Sequence, residues 1–514
     1  MSAQATLGER TARVESRFLE AIRACGILPT AIVVAGGLAL GFLLWYEAIV
    51  RGHVADGFLD VGLAAGLVLG VLVALTSWYF YGVYFARRCA VGVVTAMRWD
   101  SLSWSVPLLL VVGLMQPFFA ISTGRITAIT FGLWGLAKLL IAARFNQTVR
   151  EVSMIFIVTR LPIIAIAELA YVLIGQRAGQ HISESTNPLL AVWGRWDAVH
   201  YIDIARRGYY GTDMAFFPLY PMLIHFVTKF VEDYLVAGVL ISNVAFFFGL
   251  LYCYKLVEHQ YNRSVAHRTI FYISIFPTAV FFSAVYTESL FFALTVSSFY
   301  YIREHRWLTA GVLGALASLT RAEGILLIIP YLLEVFASSN TSWRHVFATR
   351  WRTVRIMIGA ALMPLGLSLY MMWLWVLRGD PLYFSHVQSH WDRKLAWPWA
   401  SVIHAVKLIR KGQPTTVATQ SLELAFTILM VVILFASFKR LRLSYWSYMA
   451  LSILVPMSTS SLMSMPRFAL VLFPMFVMLG LWGGRPAINS TIVALSLPLL
   501  GLFTVLFANW YWVA

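Results

Sequence analysis

The 514-residue chain is 60% hydrophobic and only 12% Asp, Glu, Lys and Arg, about half the charged fraction of a soluble domain. A single water-soluble globule, a disordered chain and, with three Cys, a disulfide scaffold are therefore excluded. The net charge of +16, from 39 basic and 23 acidic residues, fits Lys and Arg loaded on the cytoplasmic side of a multi-pass protein, with no nucleic-acid partner.

In chain order, residues 1–28 alternate acidic and basic side chains and predict a cytoplasmic amphipathic arm. The apolar run that follows continues to about residue 49, too long for a cleavable signal. Runs at 29–49, 58–83, 104–122 and 126–143 predict an N-terminal accessory membrane unit over 29–150. Over 151–514 the runs are 152–176, 235–256, 269–285, 288–302, 307–320, 324–338, 356–377, 422–438, 443–458, 468–483 and 490–510. Together they predict an all-α polytopic protein of about fifteen transmembrane helices. With the N-terminus in the cytoplasm, most short loops rich in Lys and Arg fall inside. That bias holds only if 214–230, with Pro218 and Pro221, lies along the outer interface without crossing. Long outer loops follow at 177–234 and 378–421.

Six polar segments then fall on one, non-cytoplasmic side. They are Gly194–Asp203, Phe216–Pro221, Tyr286–Leu290, Thr320–Gly324, His386–Asp392 and Ser464–Phe468. Convergent polar groups of this kind predict a cavity. Asp197, beside Trp196 and three residues before His200, is a candidate general base; alternatively it pins the loop to Arg195 or Arg206. On a helix it shares a face with Tyr201. Glu288 is either a functional acid at membrane depth or a first-turn residue behind a Thr287 cap, and Tyr286 is placed to hydrogen-bond it or a sugar. Arg467 and Arg321, isolated in short outer loops, are candidate phosphate clamps or snorkelling cations. His386, Gln388 and Lys394 are candidates for sugar hydroxyls or phosphate. Glu168 reads either as a partner of Arg160 or as a lone acid. A metal site is incomplete, so no cofactor is assigned.

No nucleotide-binding, zinc-hydrolase or serine-hydrolase motif is present. An acid and fixed cations in an outer cavity fit group transfer from a lipid-linked phosphate donor to a hydroxyl. In that reading the bundle holds the polyprenyl tail among membrane lipids. A transporter or flippase of a lipid-linked or sugar substrate is the alternative.

The run Arg195–Tyr209 with Ala215–Pro221 resembles the signature of the PIG-V mannosyltransferase family. Phe276-Pro277 and Ser283–Phe291 are similar to its next block, and Leu319–Gly324 and Pro466–Phe468 resemble motifs of the wider GT-C superfamily. The resemblance covers about 150–480, without a counterpart for 1–150. It implies a GT-C-like core and an inverting transfer of a hexose, mannose by family, from a polyprenyl-phosphate donor. The acceptor is a hydroxyl of a lipid, glycan or protein on the non-cytoplasmic face of the cell membrane. By the same resemblance Asp197 and Glu288 take catalytic positions, and Arg467, with Arg321 and Lys394, the donor phosphate. Arg195, Trp196, His200, Tyr201, Tyr286, His386 and Gln388 complete the expected sugar or acceptor site. Ala322 and Glu323 depart from the family pattern beside Arg321. Short loops and few Lys fit a bacterial homologue.

Overall fold

The computed structural model describes residues 16–50, 59–89, 91–114, 123–174, 188–338, 350–391 and 393–513. Residues 1–15 of the arm, 115–122 at the end of the third apolar run, 177–187 of the first long loop and Asp392 lie outside them. By compactness the chain falls into two units, Met1–Glu151 with Lys229–Glu232, and Val152–Thr228 with Asp233–Ala514. All regular structure among the described residues is helical, apart from one isolated bridge between Leu395 and Thr459.

The first unit contains α1 (Ile27–Val50), α2 (Leu59–Cys89), α3 (Val93–Ser101), α4 (Ser105–Leu114) and α5 (Thr123–Phe145). Helices α1 and α2 meet through small residues: a Cβ on Gly41 would lie 2.3 Å from the Gly66 carbonyl oxygen. Backbones approach this closely in membranes because lipid offers no competing hydrophobic gain and dispersion contacts must hold the helices together. Lys138 of α5 pairs with the fully buried Asp100 of α3, over the ring of Tyr81.

The second unit begins within α6 (Gln147–Leu173) and carries the polar segments. In order follow α7 (Asp197–Arg207), α8 (Leu219–Val231), α9 (Tyr234–Gln260), α10 (Arg263–Ser274), α11 (Glu288–Arg303), α12 (Trp307–Ser318), α13 (Ile328–Ala337) and α14 (Arg350–Arg378). The chain ends with α15 (Pro398–Lys411), α16 (Pro414–Ser437), α17 (Leu443–Met457), α18 (Met465–Val471), α19 (Phe473–Trp482) and α20 (Pro486–Ala508).

Among the described residues, seven helices are long and apolar enough to cross a membrane: α1, α2, α6, α9, α14, α16 and α20. The pair α18–α19, bent by 73°, makes an eighth if it is one span. Several other apolar runs fold as shorter helices. The 16 residues of α11 extend about 24 Å, short of a hydrocarbon core of about 30 Å. The run 269–285 is divided, because α10 ends at Ser274 and a 3₁₀ turn occupies Ala279–Phe282. The run 324–338 is likewise split between a 3₁₀ turn at Ala322–Leu327 and α13. Hydropathy does not distinguish a straight helix from an apolar stretch broken by buried turns. The run 214–230 begins in a 3₁₀ turn (Gly211–Ala215) and continues from Leu219 into the 13-residue α8, which buries Tyr220, Pro221 and Ile224 and exposes Met222, Phe226 and Phe230.

The breaks are stabilised by side chains from distant helices. Arg160 of α6 donates to the carbonyls of Ser274 (2.6 Å) and Ala279 (2.8 Å), satisfying groups released where α10 ends. Glu168 accepts from the Trp193 indole at 3.2 Å while Arg160 is engaged with these carbonyls, so of the two readings left open by the sequence the pairing with Arg160 is not formed. Backbone groups at depth have no water to turn to, so a buried arginine that collects their carbonyls replaces the missing solvent. Glu334 of α13 accepts from Arg303, Arg442 and Ser444, which ties α11, α13 and α17 together.

Helix α12 crosses α14 where Gly311 meets Gly359. A Cβ on Gly311 would lie 2.4 Å from the Gly359 oxygen, and backbone cannot step aside. Gly311→Val is therefore expected to cost about 1–3 kcal/mol, read as a lower midpoint of thermal unfolding in detergent.

Candidate active site

The site starts at a strained turn. Trp196 has φ of +57°, in a region costing a bulky residue about 1–3 kcal/mol. Its ring packs edge-on against Trp510 (5.5 Å) and Trp512 (5.3 Å). Tyr286 clasps the turn from both sides: its hydroxyl donates to the Arg195 carbonyl at 3.0 Å and accepts from the Asp197 amide at 3.2 Å. The turn delivers Asp197 to the first turn of α7, where the helix dipole favours a carboxylate.

From Asp197 a chain of charges runs inward. Arg467 donates from Nη1 to Asp197 Oδ2 at 2.7 Å and from Nε to Glu288 Oε1 at 2.8 Å. Its guanidinium lies over Tyr286 (4.8 Å) and Phe281 (5.2 Å). Arg321 donates to the same Glu288 oxygen at 3.1 Å, and its Nε is 3.7 Å from Glu323. Three carboxylates thus share two guanidiniums. The two predicted acids differ in access: the Asp197 side chain is 26% exposed and that of Glu288 is 0% exposed. Thr287 occupies the cap position before α11, but its side chain caps no amide; its hydroxyl lies 3.4 Å from that of Tyr201.

Above this network opens a cavity of about 1530 Å³. Each of the six polar segments contributes to its wall, through Asp197, Phe216, Thr287, Arg321, Gln388 and Arg467 among others. Of the residues predicted from sequence, Trp196, His200, Tyr201, His386 and Lys394 also line it. Glu288, Arg195 and Tyr286 lie behind the wall, buried. Arg195 sits against Trp510 at 4.9 Å, out of the cavity. The wall is largely apolar, with Trp391, Leu395, Val455, Phe468, Trp510 and Trp512. Among the described residues no three His, Cys, Asp or Glu side chains are grouped closely enough to hold a metal ion.

Several contributors escape sequence reasoning. Asp213 holds His200 through Nδ1 at 2.8 Å, with the imidazole stacked on Phe216. Burial opposes protonation of His200; the hydrogen bond to Asp213 and the charges of Asp197, Asp213 and Asp203 outweigh it and raise its pKa above the ordinary imidazole value. Glu423 of α16 accepts from the amides of Ser464 (3.0 Å) and Met465 (2.8 Å). It thereby fixes Ser464 at a φ of +70°, the left-handed residue that starts the helix bearing Arg467. A lone Glu in an apolar run carries no signal for this. Neither do Trp510 and Trp512, which look like a terminal aromatic anchor.

Residues 144–372 match the family model described as Mannosyltransferase (PIG-V). The matched range includes Asp197, Glu288 and Arg321 and stops before Arg467, so it is shorter than the 150–480 expected from motifs. GPI mannosyltransferase 2 of Schizosaccharomyces pombe is 29% identical over 142 residues, 27% of this chain and 31% of the relative. GPI mannosyltransferase 2 of Cryptococcus neoformans is 33% identical over 144 residues, 26% of this chain and 34% of the relative. GPI alpha-1,6-mannosyltransferase 2 of mouse is 30% identical over 197 residues, 35% of this chain and 39% of the relative. The chain therefore aligns with 31% to 39% of the length of these curated relatives. All three are eukaryotic and lend nothing to the bacterial source expected from loop length and Lys content. No solved structure matches.

Two outcomes follow from the charge network. Removing Arg467 alone leaves Glu288 buried without its main partner, a defect of about 3–5 kcal/mol. Arg467→Gln is thus expected to destabilise more than Arg467→Gln combined with Glu288→Gln, a non-additivity that a double-mutant cycle on thermal midpoints measures. The raised pKa of His200 gives its pairing a sign. Its contribution to stability is full below the ordinary imidazole pKa and is lost as pH rises through the higher folded-state value. The midpoint difference between wild type and His200→Gln should shrink across that window.

Proposed function

We propose that this chain, whose residues 144–372 match the PIG-V mannosyltransferase family model, is an inverting membrane glycosyltransferase. It moves a hexose, mannose by family, from a polyprenyl-phosphate donor to a hydroxyl acceptor. The observation that carries this reading is Asp197: a carboxylate open to a large, mostly apolar cavity, oriented by a buried arginine. The acceptor hydroxyl gives its proton to Asp197. Its oxygen forms a bond to the anomeric carbon as the bond from that carbon to the phosphate oxygen breaks. The lipid phosphate leaves with the electron pair, and the anomeric centre is inverted. A phosphate is already a good leaving group, so a second catalytic acid is unnecessary.

Glu288 has no exposure and acts in this scheme by holding Arg467 and Arg321, not by touching a hydroxyl. The aromatic and aliphatic wall suits the polyprenyl chain, while Trp196, His200, Tyr201, His386 and Gln388 face the sugar or acceptor. The active face is non-cytoplasmic and the N-terminus cytoplasmic, as the distribution of Lys and Arg favours. The shorter apolar helices complete their crossings with flanking turns, which brings the spans towards about fifteen. Residues 29–150 serve as an accessory unit and 151–514 as the catalytic core.

Asp197→Asn keeps the size and much of the hydrogen bonding of the side chain and removes its capacity as a base. Transfer is expected to fall by about 10²–10⁴-fold, measured by mass spectrometry of products from purified protein supplied with polyprenyl-phosphate hexoses. Wild-type turnover in that variant would overturn the assignment.

A further inference from the structure

The two arginines that sequence reasoning gave to the donor phosphate are already engaged. Arg467 uses Nη1 on Asp197 and Nε and Nη2 on Glu288. Arg321 is shared between Glu288 and Glu323. Drawing Arg467 onto a phosphate would leave the fully buried Glu288 short of its closest countercharge, at a large cost.

A different cation lines the same cavity. Arg393 lines the wall and has no carboxylate within ion-pairing distance among the described residues. One terminal nitrogen donates to the Met463 carbonyl, while its Nε is buried without an acceptor. The guanidinium stands 5.7 Å over the Phe468 ring. A desolvated cation with no direct anionic partner is unfavourable; burial, then the like charge of Arg467, disfavours its protonated form more than the charges of Glu323, Asp197 and Glu423 favour it. A bound anion would relieve both. Next to it, Lys394 also lines the cavity. Its backbone is pinned on both sides: the Lys394 amide donates to Ser460 Oγ at 2.9 Å, and the Ser460 amide donates to the Lys394 carbonyl at 2.8 Å. The Leu395–Thr459 bridge and the Ala396 amide on the Ser458 carbonyl (3.0 Å) extend this clamp. The Arg393 guanidinium, on Met463 and Phe468, and the backbone that carries Lys394 are therefore held before any ligand arrives, which favours orienting a charged leaving group.

We propose that Arg393, supported by Lys394, seats the phosphoryl group of the lipid-linked donor, while Arg467 organises the two acids. The proposal rests on the glycosyltransferase reading above and adds to it the residue that meets the phosphate.

The test compares binding of a short-chain polyprenyl phosphate and of the same polyprenol without phosphate, by quenching of tryptophan fluorescence in the purified full chain. The proteins are wild type, Arg393→Gln and Arg393→Lys. Wild type should prefer the phosphate. Arg393→Gln should lose about tenfold or more of phosphate affinity and bind the alcohol as before, and Arg393→Lys should recover part of the loss. Unchanged alcohol binding shows that the variant is folded. If Arg393→Gln keeps the wild-type preference, the assignment to Arg393 is overturned and the glycosyltransferase reading stands. If wild type itself shows no preference, both fall. Should Arg393→Gln lose alcohol and phosphate affinity together, Arg393 serves only to tether Met463, and the proposal fails.

Discussion

A single buried guanidinium organises the second unit. Arg467 lies between Asp197 and Glu288, 270 and 179 residues away in sequence, and all three belong to segments that are not long straight helices. A charge in such a place survives only with partners of opposite sign in good geometry. The requirement works in both directions: the carboxylates hold the arginine, and the arginine fixes the direction of each carboxylate. Tyr286 joins the same arrangement, with the guanidinium over its ring and its hydroxyl clasping the Trp196 turn.

Breaks in helices carry the site, and two of them have a named support. Arg160 gathers the carbonyls freed between α10 and the 3₁₀ turn at Ala279–Phe282. Glu423 gathers the amides at Ser464 and Met465. Without water to satisfy them, these backbone groups would favour continuous helix. Buried polar side chains thus make irregular backbone affordable at depth, and irregular backbone brings short polar motifs from six regions to one cavity. The strain at Trp196 and Ser464 fits this pattern, since both are positive-φ residues immediately before helices that bear network members.

Much of the site was legible because short apolar runs interrupted by charged or aromatic-polar clusters are rare in a chain with 12% charged residues. Asp197 in its polar cluster, Glu288 at the start of an apolar helix and the isolated Arg467 are each legible as candidates, and they meet in space. What was less legible is the division of labour. Spacing cannot tell an acid exposed to a cavity from one sealed behind it, so both Asp197 and Glu288 read as candidate catalytic acids. Arg393 was obscured by its setting in a loop of mixed charge and aromatics, and Glu423 by the apolar helix around it. Asp213 and the Trp510–Trp512 segment carry no sequence signal, because their roles come from contacts with His200 and Trp196.

Composition and periodicity alone determined that this protein is helical, membrane-embedded and polar at a few discrete points. Those properties depend on the solvent each residue type tolerates, and they are local. Only the tertiary structure decided which cation neutralises which acid, which carboxylate faces the cavity, and where apolar runs are broken by turns. Those outcomes depend on desolvation and on hydrogen-bond geometry between residues hundreds of positions apart. No local pattern encodes them, because the energy of a buried charge is set by its neighbours in space.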